Sequence, residues 1–478
     1  MQPSSQGKLT CVCWKVTYQG PHQYQERSMN RVSGPSTPAP LQNLEWVLNP
    51  TAYMERAAQH HPDLFASKAF GFGRNPVFVN HPQVLQEVLG NDRKDYAAPG
   101  DLNTILTPMV GNTSIFLLNG EMHRRQRQLM MPSFHGDRMK VYGQLITDLT
   151  LKAFDRLPLH QPFLTRSVMQ SISLRVILEA VFGVQQSEQD QQLFQLTAAI
   201  GDGFNSPLSS MVLFFPALQQ DWGAWSPWGK FLRQRQQLDD LLYAEIDRRR
   251  SQPMGDRTDI LSLLMAAEDE DGNGMSNQEL RDELVSLMIA GHETTATAMT
   301  WALYWLHQLP DVRTRLLEEL DALGDDDLDP MTLARSPYLT AVCQETLRIY
   351  PVAMLTFPRV AQRDLKLSGY DIEAGTVVMG CIYLLHHREE LYPNPKQFQP
   401  ERFLERKFSN YEFMPFGSGA RRCIGEALAL FEMKLVLATI LRNYALELAQ
   451  TQPVRPGRRG VTLAPMGGVK MMLTGRRE

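Results

Sequence analysis

Phe416-Gly417-Ser418-Gly419-Ala420-Arg421-Arg422-Cys423-Ile424-Gly425 is the stretch that decides how this chain folds and what it does. A glycine-rich loop with an aromatic residue at its head leads to a cysteine, and an apolar segment follows at once. Glycines at 417, 419 and 425 would let the backbone lie close to a flat ligand and adopt positive φ. A cysteine at a helix N-terminus has its thiolate stabilised by the dipole and by free N–H groups. Arg421 and Arg422 add positive charge beside it. The alternative for such a cysteine, taken alone, is a plain buried thiol at a helix start. A Phe-x-x-Gly-x-Arg-x-Cys-x-Gly pattern arises by chance in a chain of this length on the order of once in ten thousand, at equal residue frequencies, which outweighs that alternative.

The rest of the composition sets limits around this loop. With 478 residues, 43% hydrophobic and 21% charged, the chain can bury a large core and is not a disordered or fibrous sequence. Its 48 Lys and Arg against 52 Asp and Glu give a net charge of −4, so no nucleic-acid partner is expected. No apolar run approaches the roughly 18 to 20 residues that cross a bilayer. The longest candidate, Met211–Leu218, contains Pro216, and no apolar core follows Lys8 or Lys15. The expectation is a soluble, cytoplasmic protein with neither secretory signal nor transmembrane anchor. Cys11, Cys13, Cys343, Cys381 and Cys423 are too scattered for a disulfide framework. The Cys11-Val-Cys13 pair reads as part of a tail, with a metal pair as the alternative.

Residues 1–40, rich in Ser, Gln, Pro and Gly, read as a poorly ordered arm, and 41–478 as one large, mostly helical domain. Leu64–Ala69 and Pro76–Val79 suggest short strands, and His81-Pro82 opens a helix through Leu89. From about 120 to 350 apolar residues recur at helical spacing, and Thr376–Met379 is extended. An amphipathic helix is expected over 423–442 and a closing pair of strands within 446–478. No phosphate-binding glycine loop or internal repeat is present. The fold class is mainly α with a small β region.

In five motifs, in order, the chain resembles the cytochrome P-450 superfamily, the haem-thiolate monooxygenases, and within it the soluble bacterial members. The opening around Gly34-Pro35 and the long arm are similar to cyanobacterial ones. The resemblance implies a P-450 fold with a long central helix over haem b (iron protoporphyrin IX). It makes Cys423 the axial ligand of the iron, set among Phe416, Gly417 and Gly425. Such a thiolate pushes electron density to iron and favours O–O cleavage.

The other motifs are weaker alone. Ala290-Gly-His-Glu293-Thr294-Thr295 lies in a helical stretch of roughly Asn277–Gln308, about 48 Å long. Thr294 follows Ala290 by four, so its hydroxyl can bond that carbonyl and loosen the helix. The resemblance puts Ala290 beside the haem and makes Glu293 and Thr294 a catalytic acid–alcohol pair for proton delivery. Glu345 and Arg348 share one face of a helix over about Pro337–Tyr350, which alone would be a surface pair. Arg402, in Pro400-Glu-Arg402-Phe403, joins them by resemblance in a buried structural network. His123 and Arg127, four apart, read alone as a solvated basic face. By resemblance they bind haem propionates with Arg421 and Arg359, and His387 is a further candidate.

For the substrate pocket the resemblance points to Leu102, Ile105, Leu106, Phe116, Phe204, Met288, Ile289, Val352, Leu355 and Met466. Each is equally readable as plain core. All are apolar, which suits a fatty acid, terpene or steroid-like substrate. No flavin or iron–sulfur domain is fused, so electrons from NADPH are expected through a separate ferredoxin and ferredoxin reductase, with O2 as oxidant. Arg124, Arg125, Arg422 and Lys434 would offer an acidic carrier a basic face. Nothing demands more than a monomer. Two alternatives stand beside the monooxygenase: a peroxide-driven peroxygenase, and a haem-thiolate ligand binder or sensor without turnover.

Overall fold

Ser276 starts the helix around which the other elements assemble. Its hydroxyl accepts the Glu279 N–H (3.2 Å) while Glu279 returns a carboxylate to the Ser276 N–H (2.8 Å). This reciprocal cap leaves two fewer orphan donors at the helix start. In the computed structural model the helix runs Asn277–Gln308, and Pro310 opens the next one, Pro310–Asp321. The structure describes residues 30–477 apart from 70–75, 135–137, 184–187, 204–211, 213–217, 224, 253–256 and 325–328.

The central helix is buried on nearly every side beyond its first turn. Thr165–Phe182 and Glu426–Asn443 pack on it, and Arg138–Phe154 packs on both of those. An aromatic ladder ties its C-terminal half to the Pro337–Ile349 helix. Trp301 meets Tyr350 at 4.3 Å between ring centroids, and Trp305 stacks on Phe398 at 5.3 Å. Trp301 is fully buried, a contribution of about 2–3 kcal/mol, and its indole N–H donates to the Leu463 carbonyl at 3.3 Å.

The β structure lies to one side. β1 (Leu64–Ala66), β2 (Val77–Val79), β3 (Tyr96–Ala97), β5 (Arg359–Ala361) and β8 (Val377–Gly380) form a sheet ordered β1-β2-β8-β5-β3. Only β2 and β8 run parallel. β4 (Pro162–Leu164), β12 (Lys470–Arg476) and β9 (Tyr444–Leu448) make a second sheet, with β12 in the middle. β6 (Leu365–Leu367) pairs with β7 (Tyr370–Ile372), and β10 (Pro456–Arg459) with β11 (Thr462–Pro465).

Three expectations need correction. The closing region holds four strands, not two, because β9 and β12 pair around a separate β10–β11 hairpin. The disordered arm cannot extend to residue 40. The Asn30 N–H donates to Asp371 (2.8 Å), the Ala66 N–H donates to Ser33 (2.9 Å), and a helix begins at Ala39. A Pro- and Ser-rich segment has no core of its own, but its carbonyls serve as strand partners. Residues 1–29, with Cys11 and Cys13, lie outside the described residues. Finally, the helix after the cysteine starts at Glu426, not 423, since the Cys423 N–H turns back to the Phe416 carbonyl at 3.0 Å.

Glu345, Arg348 and Arg402 do come together. Glu345 and Arg348, both fully buried, form a two-point pair at 2.6 and 2.8 Å. Arg402 Nε sits 3.5 Å from Glu345, a looser ion pair without a formed hydrogen bond. The Gln399 N–H donates to the same carboxylate at 2.8 Å. Arg348 then reaches the carbonyls of His386, Pro395 and Gln397 at 2.8, 2.8 and 3.1 Å. Removing the carboxylate strands a buried guanidinium. Glu345→Ala therefore costs about 3–5 kcal/mol of stability, measured by denaturant unfolding, with a matching fall in recovered haem-loaded protein.

Candidate active site

The loop from Phe416 to Gly425 is shaped by its own turns. Gly417 and Gly419 have φ of 71° and 69°, the left-handed region that glycine enters without strain. At Gly419 a side chain would also collide with Asp92, whose carboxylate would stand 2.2 Å from the new Cβ. Gly425 departs from expectation: its φ is −82°, so positive φ is not what it supplies. At Gly417 and Gly425 a Cβ would meet nothing within 4 Å, so open space lies beside the loop at both.

That space belongs to a cavity of about 330 Å³ lined by the cysteine loop and the central helix. Cys423 lines it, and its accessible surface faces this interior space. Burial raises the thiol above its ordinary pKa, against lowering by the Gly425 N–H and by Arg127 and Arg422. Burial thus outweighs the thiolate stabilisation expected from a helix N-terminus, and the helix itself begins three residues further on.

Across the cavity stand Glu283, Leu287, Ala290, Gly291, Thr294 and Ala298, one stripe of the central helix at three- and four-residue spacing. The Thr294 hydroxyl donates to the Ala290 carbonyl at 2.6 Å. Glu293 is not in the lining. Its carboxylate accepts from Arg166 and from Gln170 (2.7 Å), with Arg459 at 3.3 Å. The acid and alcohol are neighbours in sequence, yet successive residues on a helix point about 100° apart, and here the acid faces an arginine pair.

One end of the cavity is cationic. His123, Arg127 and Arg421 all line it. Burial, with Arg421, Arg127 and Arg359 nearby, pushes the His123 pKa down to about 3. Burial and the neighbouring Arg359 and Arg127, partly offset by Asp92, bring Arg421 down to about 10. Arg421 also donates to the carbonyls of Ala98, Ile115 and Leu118 at 2.6 to 3.1 Å. Arg359 is not in the lining. It pairs with Asp92 and donates to the Ser418 carbonyl at 3.1 Å, so it braces the loop from behind. His387 is likewise outside, with Nδ1 2.8 Å from the Tyr383 carbonyl. Crowded buried cations are relieved by anions. A flat dianion with a metal at its centre meets the cationic end, the thiol and the open glycine backbone together, so the residues present fit a haem.

A family model described as Cytochrome P450 matches residues 40–470. The chain belongs to the cytochrome P450 family. Among its relatives, cytochrome P450 135B1 of Mycobacterium tuberculosis is 32% identical over 94% of this chain and 93% of its own length. Cytochrome P450 137 of the same species is 35% identical over 76% of this chain and 73% of its own. In fold, the chain is similar to a retinoic acid-bound cyanobacterial CYP120A1, with TM-score 0.80 and 24% identity over 94% of this chain and all of that one. The haem domain of cytochrome P450DA gives TM-score 0.81 at 22% identity, over 94% and 99%. The P450 fold is therefore the fold here, the cofactor is haem b held through a cysteine thiolate, and the class is an oxygenating oxidoreductase.

The expected substrate residues divide. Phe116, Val352 and Leu355 line the cavity. Met288 and Ile289 do not: Met288 is fully buried and its sulfur accepts the Thr197 hydroxyl at 3.7 Å. Helical turns counted back from Thr294 reach Ala290 and Leu287, which is why these two line the cavity while Met288 and Ile289 turn away from it. Leu102 packs beside the core of the first sheet, Ile105 and Leu106 are half-buried outside the lining, and Met466 is 53% exposed over Gly457. Phe204 lies outside the described residues. Ile115, Ile177 and Thr356 line the cavity without having been expected. No motif marks them, because their place depends on how distant segments pack.

The expected basic face also thins. Arg125 is taken up by Asp269 and Glu279, and Lys434 donates to the Ala334 carbonyl at 2.9 Å. Arg124 and Arg422 keep exposed guanidinium groups, each beside its own glutamate.

Glu432, on the Glu426–Asn443 helix, lines the same cavity and is buried, and burial raises its pKa to about 8, against lowering by the Ser173 hydroxyl. Its folded-state value lies above the ordinary 4.5, so the folded protein holds an extra proton between the two. That contribution is complete below about 4.5 and is lost as pH rises through about 8. Urea unfolding across this window will show wild type losing stability relative to Glu432→Gln as pH rises, with no further divergence above it.

Proposed function

We propose that this chain is a monooxygenase that inserts one atom of O2 into a lipophilic substrate such as a fatty acid, terpene or steroid-like molecule. Its electrons would come from NADPH through a separate ferredoxin and its reductase. The observation that carries this reading is a single cavity, mostly apolar, bearing the Cys423 sulfur on one side and the Thr294 hydroxyl on the other. Bound haem supplies the activation of oxygen.

The protein's part follows from its side chains. Cys423 Sγ would hold the haem iron, and Phe416 with Ile424, which line the cavity beside it, would keep water from the sulfur. His123, Arg127 and Arg421 bind the propionates, an assignment supported by their convergence at one end of the cavity. Phe116, Val352 and Leu355 contact the substrate and favour apolar surface. The Thr294 hydroxyl donates to the Ala290 carbonyl, so its lone pairs are free to accept from a proton donor in the cavity and hold that donor beside the reacting atoms. Glu293 is held by Arg166 and Gln170 and supports that turn of helix, while Thr294 faces the reacting atoms.

Among the described residues no helix is long and apolar enough to cross a membrane, and the described cysteines are all free.

The reduced protein with carbon monoxide tests the ligand. Wild type shows a strongly red-shifted Soret band and Cys423→Ala lacks it. A globin-like band in wild type would remove the thiolate assignment. Reconstituted with ferredoxin, reductase and NADPH, wild type converts a substrate chosen by its low-to-high-spin shift. Thr294→Ala keeps the haem but yields on the order of tenfold less product per NADPH, with the balance as peroxide. Full coupling in that variant would end the role of Thr294 in holding a proton donor.

A further inference from the structure

The chain between Gly111 and Asn119 is fastened to the central helix by consecutive residues. Asp282 accepts both the N–H and the hydroxyl of Thr113, at 2.9 and 2.7 Å. Ser114 and Ser286 hydroxyls meet at 2.7 Å. Glu283 Oε1 accepts the Ile115 N–H at 2.6 Å, together with the Gln126 side-chain amide at 3.1 Å. The carbonyl of the same Ile115 accepts from Arg421, two residues before the cysteine, at 2.8 Å. Ile115 is thus gripped at its N–H by the helix that carries Thr294 and at its C=O by the loop that carries Cys423.

The next residue is Phe116. It lines the cavity, stacks on Phe357 at 5.9 Å between centroids, and its carbonyl accepts the Asn103 amide at 3.0 Å. Glu283 is fully buried, stands on the cavity-lining stripe of the central helix, and its Oε2 has no hydrogen-bond partner among the described residues. A buried acceptor cannot exchange its donor for water without the segment opening, so the bond fixes Ile115 more firmly than an exposed one would.

We propose that Glu283 is a positioning residue that sets the Ile115–Phe116 wall of the cavity and thereby limits the size of ligand admitted. This rests on reading the cavity as the substrate chamber. A shift of the wall changes the fit of bulky ligands and leaves small ones nearly untouched, so the effect is one of discrimination between sizes.

The test uses the haem-loaded full chain as wild type, Glu283→Gln and Glu283→Ala. Amide exchange over residues 111–119 is measured beside dissociation constants for imidazole and 4-phenylimidazole, read from Soret shifts. In wild type the Ile115 amide exchanges as slowly as amides within the central helix. In Glu283→Ala it exchanges on the order of tenfold faster, and the ratio of the two dissociation constants changes by about fivefold or more. Glutamine keeps an acceptor for Ile115, so Glu283→Gln stays within about twofold of wild type in both readouts. If the alanine variant fails to load haem, Glu283→Asp replaces it, since the shorter carboxylate cannot span to Ile115. Fast exchange of Ile115 in wild type overturns the proposal. So does faster exchange in the variant with an unchanged ratio, which a mere structural strut would give. An intact red-shifted carbon monoxide band beside either result leaves the haem-thiolate reading standing, whereas a missing wild-type band sinks that reading instead.

Discussion

The buried pairing of Glu345 with Arg348 is the contact on which the cysteine side of the molecule depends. Neither charge touches water, so each would be strongly unfavourable without the other. The pair does not merely cancel. Arg348 spends its remaining donors on the carbonyls of His386, Pro395 and Gln397, and Glu345 takes the Gln399 N–H. A stretch with little regular structure thereby acquires fixed points. His386, held at its carbonyl by Arg348, accepts the Met414 N–H on its ring at 3.0 Å. Two residues on, Phe416 begins the loop that presents Cys423. The position of the sulfur is therefore set by a chain of polar contacts that starts about eighty residues earlier.

Much of this was legible in the sequence, for identifiable reasons. The bounds of the central helix follow from Ser276, Glu279 and Pro310, which act locally. The Glu345–Arg348 pair is fixed by helical spacing, and Cys423, His123, Arg127 and Arg421 by motifs that place chemistry at set intervals. What was not legible depends on long-range packing. The conformation of Gly425 and the true helix start depend on how the loop turns, with the Cys423 N–H bonded back to the Phe416 carbonyl. Arg359 falls behind the loop because a strand alternates its side chains and Asp92 waits on that face. Of the substrate-side residues, Phe116 was reached through the resemblance and not from its own spacing; its place in the cavity comes from hydrogen bonds to its backbone neighbours.

The adjacent residues Glu293 and Thr294 illustrate how one turn of helix separates roles. Thr294 shares the stripe with Ala290 and Leu287 and faces the cavity. Glu293 is rotated toward Arg166, at the start of the Thr165–Phe182 helix, and toward Arg459 on β10. It ties together three elements distant in sequence, the middle of the central helix among them. A carboxylate satisfied in this way is a good fastener for that turn of the helix.

The N-terminal segment carries a different lesson. β1 is the outermost strand of the larger sheet, and the carbonyl of Ser33 takes the N–H that Ala66 would otherwise turn outward. Gly34 passes so close that a Cβ there would stand 1.8 Å from the Ala66 carbonyl oxygen. An uncovered strand edge invites pairing with another chain. Residues at the margin of the core, Val32 among them, thus act as a hem along the sheet, and a chain trimmed just ahead of Ala39 would expose a seam along which copies could join.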